Sequence, residues 1–402
     1  MPPESAAPPL PLWKKVVFSL VLLALVFVAL EIGANLFLRS TRGYAGGDFL
    51  QYQFDPYKNI HLSRNWVDTR GARHNAQGFR RDSDVAREKP AGTYRVFLMG
   101  ASTAYGLGGL WPHLQTEYAV LDNSETISAY LEASLSARFP GTTVEVINAA
   151  IPSIWTHHHL IYLNQTILGY DPDLVLFLDG WNDHFFFSRG HDQFAAYAHS
   201  EQSSVILGPP TVGALIRMNF WWLFRKSAFF HVVGRTASNL APLLRGRSAP
   251  TPIDSAAAVT GLVQVFDRNA LAMIRRNALI LQDAGVPAIF MLQPILSIER
   301  PRVERMPEIE RRLFEFNLEA WAPGYEQFMR GAVPRVAERI DSTVTSFGAH
   351  FLDLTAIYPV SRGQIFTDYA HLTPEGNRIL ADTVAAEIIA WQAGAIAAAG
   401  RR

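Results

Sequence analysis

The chain has no cysteine. Disulfide frameworks, thiolate zinc sites, iron–sulfur clusters and thiol nucleophiles are excluded together, while the compartment is left open, because a chain without thiols is indifferent to redox conditions. Net charge is missing too, since Lys+Arg 36 balance Asp+Glu 36. Without a global basic footprint, no nucleic-acid partner is expected. Lysine is scarce, five of the 36 basic residues, a usage that a GC-rich genome explains as readily as function does. Charged residues make up 18% of the 402 positions against 49% hydrophobic, which is too little charge for a mainly disordered chain. The apolar content suffices for one large domain or two modest ones.

What is present begins near the N-terminus. Val16 to Leu30 carries no charge and the apolar run continues past Glu31 to Leu38. As a helix it would span roughly 35 Å, enough to cross a bilayer. No polar face appears at helical spacing, which argues against a buried core helix. A cleaved signal peptide is the sharper rival, but the run is long and Gly33-Ala34-Asn35 makes a poor cleavage site. Glu31 is expected near one end of the span, where a carboxylate can reach the interface. The expectation is an uncleaved signal anchor at 16–38, with a cytoplasmic tail at 1–15. Lys14 and Lys15 on one side match Arg39 and Arg42 on the other, so orientation rests on the short tail, which favours an N-in anchor in the cytoplasmic membrane and a periplasmic remainder.

Residues 43–90 have no strong period and read as a juxtamembrane segment, with turn signals at Asp55-Pro56 and Gly78. From Tyr94 onward, apolar runs of strand length recur at Arg95–Met99, Thr143–Ile147, Leu174–Leu178, Pro287–Leu292 and His350–Leu354. Helical patterns separate them. Ile127, Tyr130, Leu131 and Leu135 share one face, with Ser124 as the expected cap and Gly141 as the stop. Ala256 to Asp283 is a second helical stretch. After the last run, Thr373 should cap a helix with Pro374 at its first position and Leu380, Val384, Ile388 and Trp391 on one face. Continuous apolar strands alternating with helices predict a parallel sheet covered on both faces, over about 91–398. Residues 185–255 read as an insertion. Its Phe220-Trp221-Trp222-Leu223-Phe224-Arg225-Lys226 stretch suits either a helix packed on the sheet domain or a lid or interfacial helix on a membrane.

Ligands of open parallel sheets sit at the carboxyl ends of the strands. There the sequence places Gly100-Ala101-Ser102-Thr103, then Asn148 to Ser153, then Gly180-Trp181-Asn182-Asp183, and finally Asp368-Tyr369-Ala370-His371. A serine at a strand-to-helix turn presents its hydroxyl at the sheet edge and its backbone N–H toward developing negative charge. His371 could take the Ser102 proton while Asp368 holds the other ring nitrogen. Asn182 offers a side-chain donor and Ser153 a backbone one. Singly these are ordinary caps and turn residues; together, and in order at the strand ends of one sheet, they suit acyl transfer. His157-His158-His159 does not suit a metal, because consecutive helical residues point about 100° apart; polar positions near the cleft mouth fit them better. Gly106-Leu107-Gly108-Gly109 matches no nucleotide-binding pattern and reads as a mobile loop beside Ser102.

These four ordered blocks resemble the SGNH (GDSL-type) hydrolase superfamily, over roughly Tyr94 to Gly394. Asn75-Ala76-Gln77-Gly78-Phe79-Arg80 further resembles a segment of its membrane-anchored bacterial members, with no role attached; read by itself, Arg80-Arg81 is a solvated pair. The resemblance implies a flavodoxin-like three-layer fold with a five-stranded parallel sheet. It also implies Ser102 as nucleophile, His371 as base, Asp368 as its partner, and an oxyanion hole from the Ser102 and Ser153 N–H groups and Asn182. Two positions depart from the family pattern. Ala101 stands where the namesake motif has Asp. Ser153 stands where the second block has Gly; it keeps the N–H but adds a Cβ, and would be strained if the loop needs a positive φ.

The expected function is a membrane-anchored serine esterase without cofactor or metal, hydrolysing an O-acyl, preferably O-acetyl, ester on an envelope carbohydrate. Alternatives are an O-acyltransferase with the same residues, a lipase or acylhydrolase at the membrane surface, and a non-catalytic glycan-binding assembly module. The expected partners are an O-acylated carbohydrate or lipid and the bilayer.

Overall fold

The computed structural model describes residues 11–42, 51–55, 59–68, 71–109, 120–183, 227–230, 232–234, 236, 255–299, 306–320, 324–358 and 363–400. The expected aromatic stretch at 220–226 and most of the 185–255 insertion lie outside these residues.

Helix α1 runs Leu12–Arg42. Its Leu12–Leu38 part is long and apolar enough to cross a membrane, and none of its most apolar window is buried against the protein. A short antiparallel hairpin follows, β1 Tyr52–Asp55 with β2 Asn59–Leu62. Leu62, Phe79 and Val85 from this region join the core of the sheet domain.

The sheet has strands β3 Thr93–Gly100, β4 Thr143–Asn148, β5 Leu174–Asp179, β6 Ala288–Leu292 and β7 His350–Asp353. Their spatial order is β4-β3-β5-β6-β7, every pair parallel. In the sheet's own numbering that is 2-1-3-4-5, the flavodoxin-like order. β3 is buried at all eight positions and β6 at all five, as strands covered on both faces must be. On one face α3 Ile127–Arg138 packs with the C-terminal helix Pro374–Ala399. On the other face, α4 Thr156–Gln165 packs with the later helix Ala272–Asp283. That helix continues Ser255–Phe266 through one π turn at Asp267–Leu271. Tyr325–Thr345 packs beside them.

Several local expectations shift. The cap of α3 is Thr126, which accepts from the Ala129 N–H at 3.3 Å. Ser124 instead lies in a 3₁₀ turn, Asn123–Glu125, capped by Asp122. Thr373 does cap the last helix, accepting from the Gly376 N–H at 3.2 Å. Leu380, Val384 and Ile388 are fully buried beneath that helix, whereas Trp391 is over one-third exposed and stacks on His350. Glu31 has protein partners. Its carboxylate accepts from the Ser227 hydroxyl and the Ala228 and Phe229 N–H groups.

Candidate active site

Gly100 ends β3 at φ 153°, and a Cβ there would lie 2.4 Å from the Leu178 carbonyl oxygen and 2.6 Å from the Ala104 Cβ. Glycine therefore lets β3 press on β5 while the chain turns at once into the four-residue helix α2, Ser102–Tyr105. Ser102 is the first residue of that helix, so its N–H has no intrahelical acceptor. The carbonyl end of the helix is held by side chains. Asn148 donates to Ala104 O at 3.0 Å. Arg80 donates to Tyr105 O at 2.9 Å and Gly106 O at 2.7 Å, and through its other terminal nitrogen to Leu121 O at 2.6 Å. Arg80 is thus buried, and the reading of Arg80-Arg81 as a solvated pair is corrected: Arg81, partly covered, pairs with Glu132 at 2.8 Å. Behind the turn, burial pulls His74 down to about 3. The neutral ring donates from Nδ1 to Ser63 O at 2.8 Å and accepts at Nε2 from the Tyr105 hydroxyl at 2.9 Å.

At the opposite loop, Asp368 and His371 are both buried, with Nδ1 to Oδ2 at 2.6 Å. The Ala370 and His371 N–H groups each donate to Asp368 Oδ1 at 2.9 Å. Burial works to raise the Asp368 pKa, but the His371 charge and the three bonds outweigh it and hold the carboxyl below its ordinary value. An ionised Asp368 fixes the Nδ1–H tautomer, leaving Nε2 with its lone pair. His371 Nε2 is buried with no hydrogen-bond partner. Thr103, the residue after Ser102, donates from Oγ1 to Ala370 O at 3.1 Å. The serine turn and the histidine loop are therefore bonded to each other, across 267 residues of sequence.

Ser153 sits at φ 68°, in the left-handed region. The strain foreseen for a non-glycine residue at this position is present. Asn182 follows Gly180 and donates to Ile154 O at 2.6 Å, which ties the third block to the second. One amide hydrogen makes that bond and the second remains available. Trp181 packs against Tyr369 in a tilted contact, 4.2 Å between centroids, and Tyr369 lies 5.9 Å from the His371 ring, an aromatic wall beside the histidine.

Gln293 was not anticipated. Just beyond β6, it is buried, donates to Thr103 Oγ1 at 3.0 Å and accepts from the Trp181 N–H at 3.3 Å. One amide thereby links three strand-end loops. Its position at the carboxyl end of the fourth strand was the available signal.

The three histidines of α4 do not converge. His159 Nε2 donates to Asp179 Oδ1 at 2.9 Å, and His158 meets Trp155 edge to face. Both are buried, so the expected place near a cleft mouth does not hold for them. Among the described residues no group of His, Asp and Glu has a metal-holding arrangement. Beside His159, Asp183 accepts from the Thr156 hydroxyl at 3.0 Å. Burial, then the Asp179 charge, pushes Asp183 up to about 7 against the lowering bonds from Thr156 and the His159 charge.

The fold expected from the SGNH resemblance is the fold observed, with all four blocks at the carboxyl ends of one five-stranded sheet. No family model and no curated protein matches the chain. Solved structures do. An acetylxylan esterase, Axe2 of Geobacillus stearothermophilus, is 14% identical, covering 73% of this chain and 94% of that one, at TM-score 0.37. A lipase/acylhydrolase of Enterococcus faecalis is 15% identical, covering 73% and 95%, at TM-score 0.36. LAE5, an alpha/beta hydrolase enzyme from the metagenome of Lake Arreo, is 13% identical, covering 74% and 95%, at TM-score 0.35.

Proposed function

We propose that the protein is a membrane-anchored serine esterase acting on an O-acyl ester. The observation that carries the reading is the buried Asp368–His371 pair with its unpartnered Nε2, bonded through Thr103 to the turn that presents Ser102. Ser102 Oγ attacks the ester carbonyl as His371 Nε2 takes its proton. The tetrahedral oxyanion is met by the Ser102 N–H, the Ser153 N–H and the second Asn182 amide hydrogen. Removing one such donor typically costs about 100- to 1,000-fold in turnover. His371 then returns the proton to the departing alcohol oxygen, leaving Ser102 acylated. Water, deprotonated by the same nitrogen, releases the carboxylic acid and restores the serine.

The Ser153 Cβ stands where the related pattern has none, which narrows the acyl side and favours a short acyl group such as acetyl. With α1 as an N-in signal anchor of the cytoplasmic membrane, the sheet domain faces the periplasm, where the alcohol side of the substrate is an envelope carbohydrate. A lipid substrate is the second reading. It is favoured by the packing of Phe229 and Phe230, from the insertion, on Phe27 of the apolar helix. Transfer of the acyl group to a sugar hydroxyl would use the same acyl-enzyme.

The test is hydrolysis of a short activated acyl ester by the full chain in detergent, beside Ser102→Ala. Turnover lost in the variant is the expected result. Equal turnover in both removes the serine-esterase reading. A product that forms only when a sugar acceptor is present moves the transferase ahead.

A further inference from the structure

The apolar helix α1 contains one acidic residue, and it is fully employed. Phe27 lies midway between Lys15 and Arg39. Glu31, one turn further, is therefore about 6 Å from the middle of the span, inside a hydrocarbon layer whose half-thickness is about 15 Å. An ionised carboxylate at that depth must be paired or hydrogen-bonded.

Its partners come from a stretch almost 200 residues away. Residues 228–230, 232–234 and 236 are helical. Ser227 precedes them and acts as their cap, accepting from the Phe230 N–H at 3.2 Å. Ser227 Oγ donates to Glu31 Oε2 at 2.7 Å, the Ala228 N–H donates to Oε1 at 2.7 Å, and the Phe229 N–H donates to Oε2 at 3.0 Å. Asn35, one turn along α1, adds a fourth donor at 3.1 Å. The free N–H groups opening one helix are thus satisfied by a carboxylate on another. In water a local cap and solvent would suffice; in hydrocarbon every opening N–H must find a protein partner. Around this polar knot the contacts are apolar. Phe27 meets Phe229 edge to face at 6.1 Å and Phe230 at 5.8 Å, and Val233 remains largely exposed. Ser227 and Ala228 are buried, while none of the most apolar window of α1 is.

We propose that residues 227–230 and 232–234 belong to a second membrane-embedded element, which is pinned to the anchor by Glu31 and presents Phe229, Phe230 and Val233 to lipid acyl chains. This rests on α1 being a membrane anchor.

The absence of cysteine makes the test direct. Single-cysteine full-length chains, Phe229→Cys, Val233→Cys, Leu22→Cys and Glu338→Cys, are labelled with one fluorophore. They are then reconstituted into phosphatidylcholine/phosphatidylglycerol vesicles containing lipids with nitroxide-labelled acyl chains. Labels at 229 and 233 should be quenched as strongly as the label at 22, while the label at 338, on an exposed helix face of the sheet domain, should not be. Adding Glu31→Ala should remove quenching at 229 and 233 and leave it at 22. Quenching at 22 with none at 229 and 233 overturns the proposal while sparing the anchor. Quenching at 229 and 233 that survives Glu31→Ala overturns the pinning. No quenching at 22 overturns the anchor reading itself, and the proposal with it.

Discussion

At the scale of single residues, strand-end loops hold buried polar groups that face each other, Thr103 and Gln293 on one side and Asp368 and His371 on the other. Asp368 accepts three hydrogen bonds while wholly buried, so it both shapes the loop and orients His371. Asp368→Asn keeps the volume but offers an amide where Nδ1–H needs an acceptor. Turnover of an acyl ester should fall about 10,000-fold with the binding constant little changed, the effect of fixing the wrong tautomer. A loss in binding alone would count against a His371 role in proton transfer. Ser153 offers a stability experiment at the same site. A left-handed conformation costs a non-glycine residue about 1–2 kcal/mol, while glycine costs about 0.4–1 kcal/mol through the unfolded chain. Ser153→Gly should therefore raise stability by something under about 1 kcal/mol, read as a small rise in thermal midpoint. Activity toward short esters should persist, because the backbone N–H is retained.

At the scale of elements, strand-end turns are positioned by close contact, and two substitutions test this. Gly100→Ala places a methyl against the Leu178 carbonyl and Ala104. Overpacking of this kind costs about 1–3 kcal/mol, and any shift of Ser102 to relieve it should cut turnover about 100-fold. Gln293→Met preserves the buried volume but deletes the bonds to Thr103 and Trp181. It should lower kcat about 10-fold with KM held, as a loop-positioning residue would; a change in KM alone would argue that Gln293 touches substrate instead. These elements also show what the sequence could carry. The five strands are legible because continuous apolar runs bounded by turns have few other uses, and the structure moves their ends by two residues at most. The four blocks are legible because their order follows the strands. Arg80 was not, because a guanidinium that satisfies three carbonyls looks in sequence like any solvated arginine. Nor was Gln293, whose partners Thr103 and Trp181 are more than 100 residues away in the chain. The cap of α3 was misplaced because Asp122, Ser124 and Thr126 are all good caps, and the intervening 3₁₀ turn decides among them.

At the scale of the whole molecule, the net charge is zero but two buried carboxyls pull stability in opposite directions with pH. Asp368 is held below its ordinary value in the fold, so its contribution is present above the unfolded pKa and is lost as pH falls through the folded one. Asp183 is the reverse. Raised to about 7 beside Asp179, it binds a proton in the fold that it has lost in the unfolded chain. Between about pH 4, where the unfolded carboxyl titrates, and about pH 7, the folded state therefore holds more protons, and stability must decline as pH rises. Above that window the penalty stays in full. For these two groups stability should be greatest at about pH 4, where the Asp368 contribution is complete and the Asp183 loss has scarcely begun. Asp183→Asn imitates the protonated acid and still accepts the Thr156 hydroxyl. It should come close to the parent at or just below pH 4 and exceed it at pH 8, which thermal unfolding of the detergent-solubilised full chain at the two pH values would read. An equal gap between variant and parent at both would mean that Asp183 is ionised throughout. Because Asp183 adjoins Asn182, the same titration reaches the proposed oxyanion donor. A parent whose turnover declines above pH 7, beside an Asp183→Asn variant whose turnover does not, would tie the stability of the whole molecule to the geometry of its site.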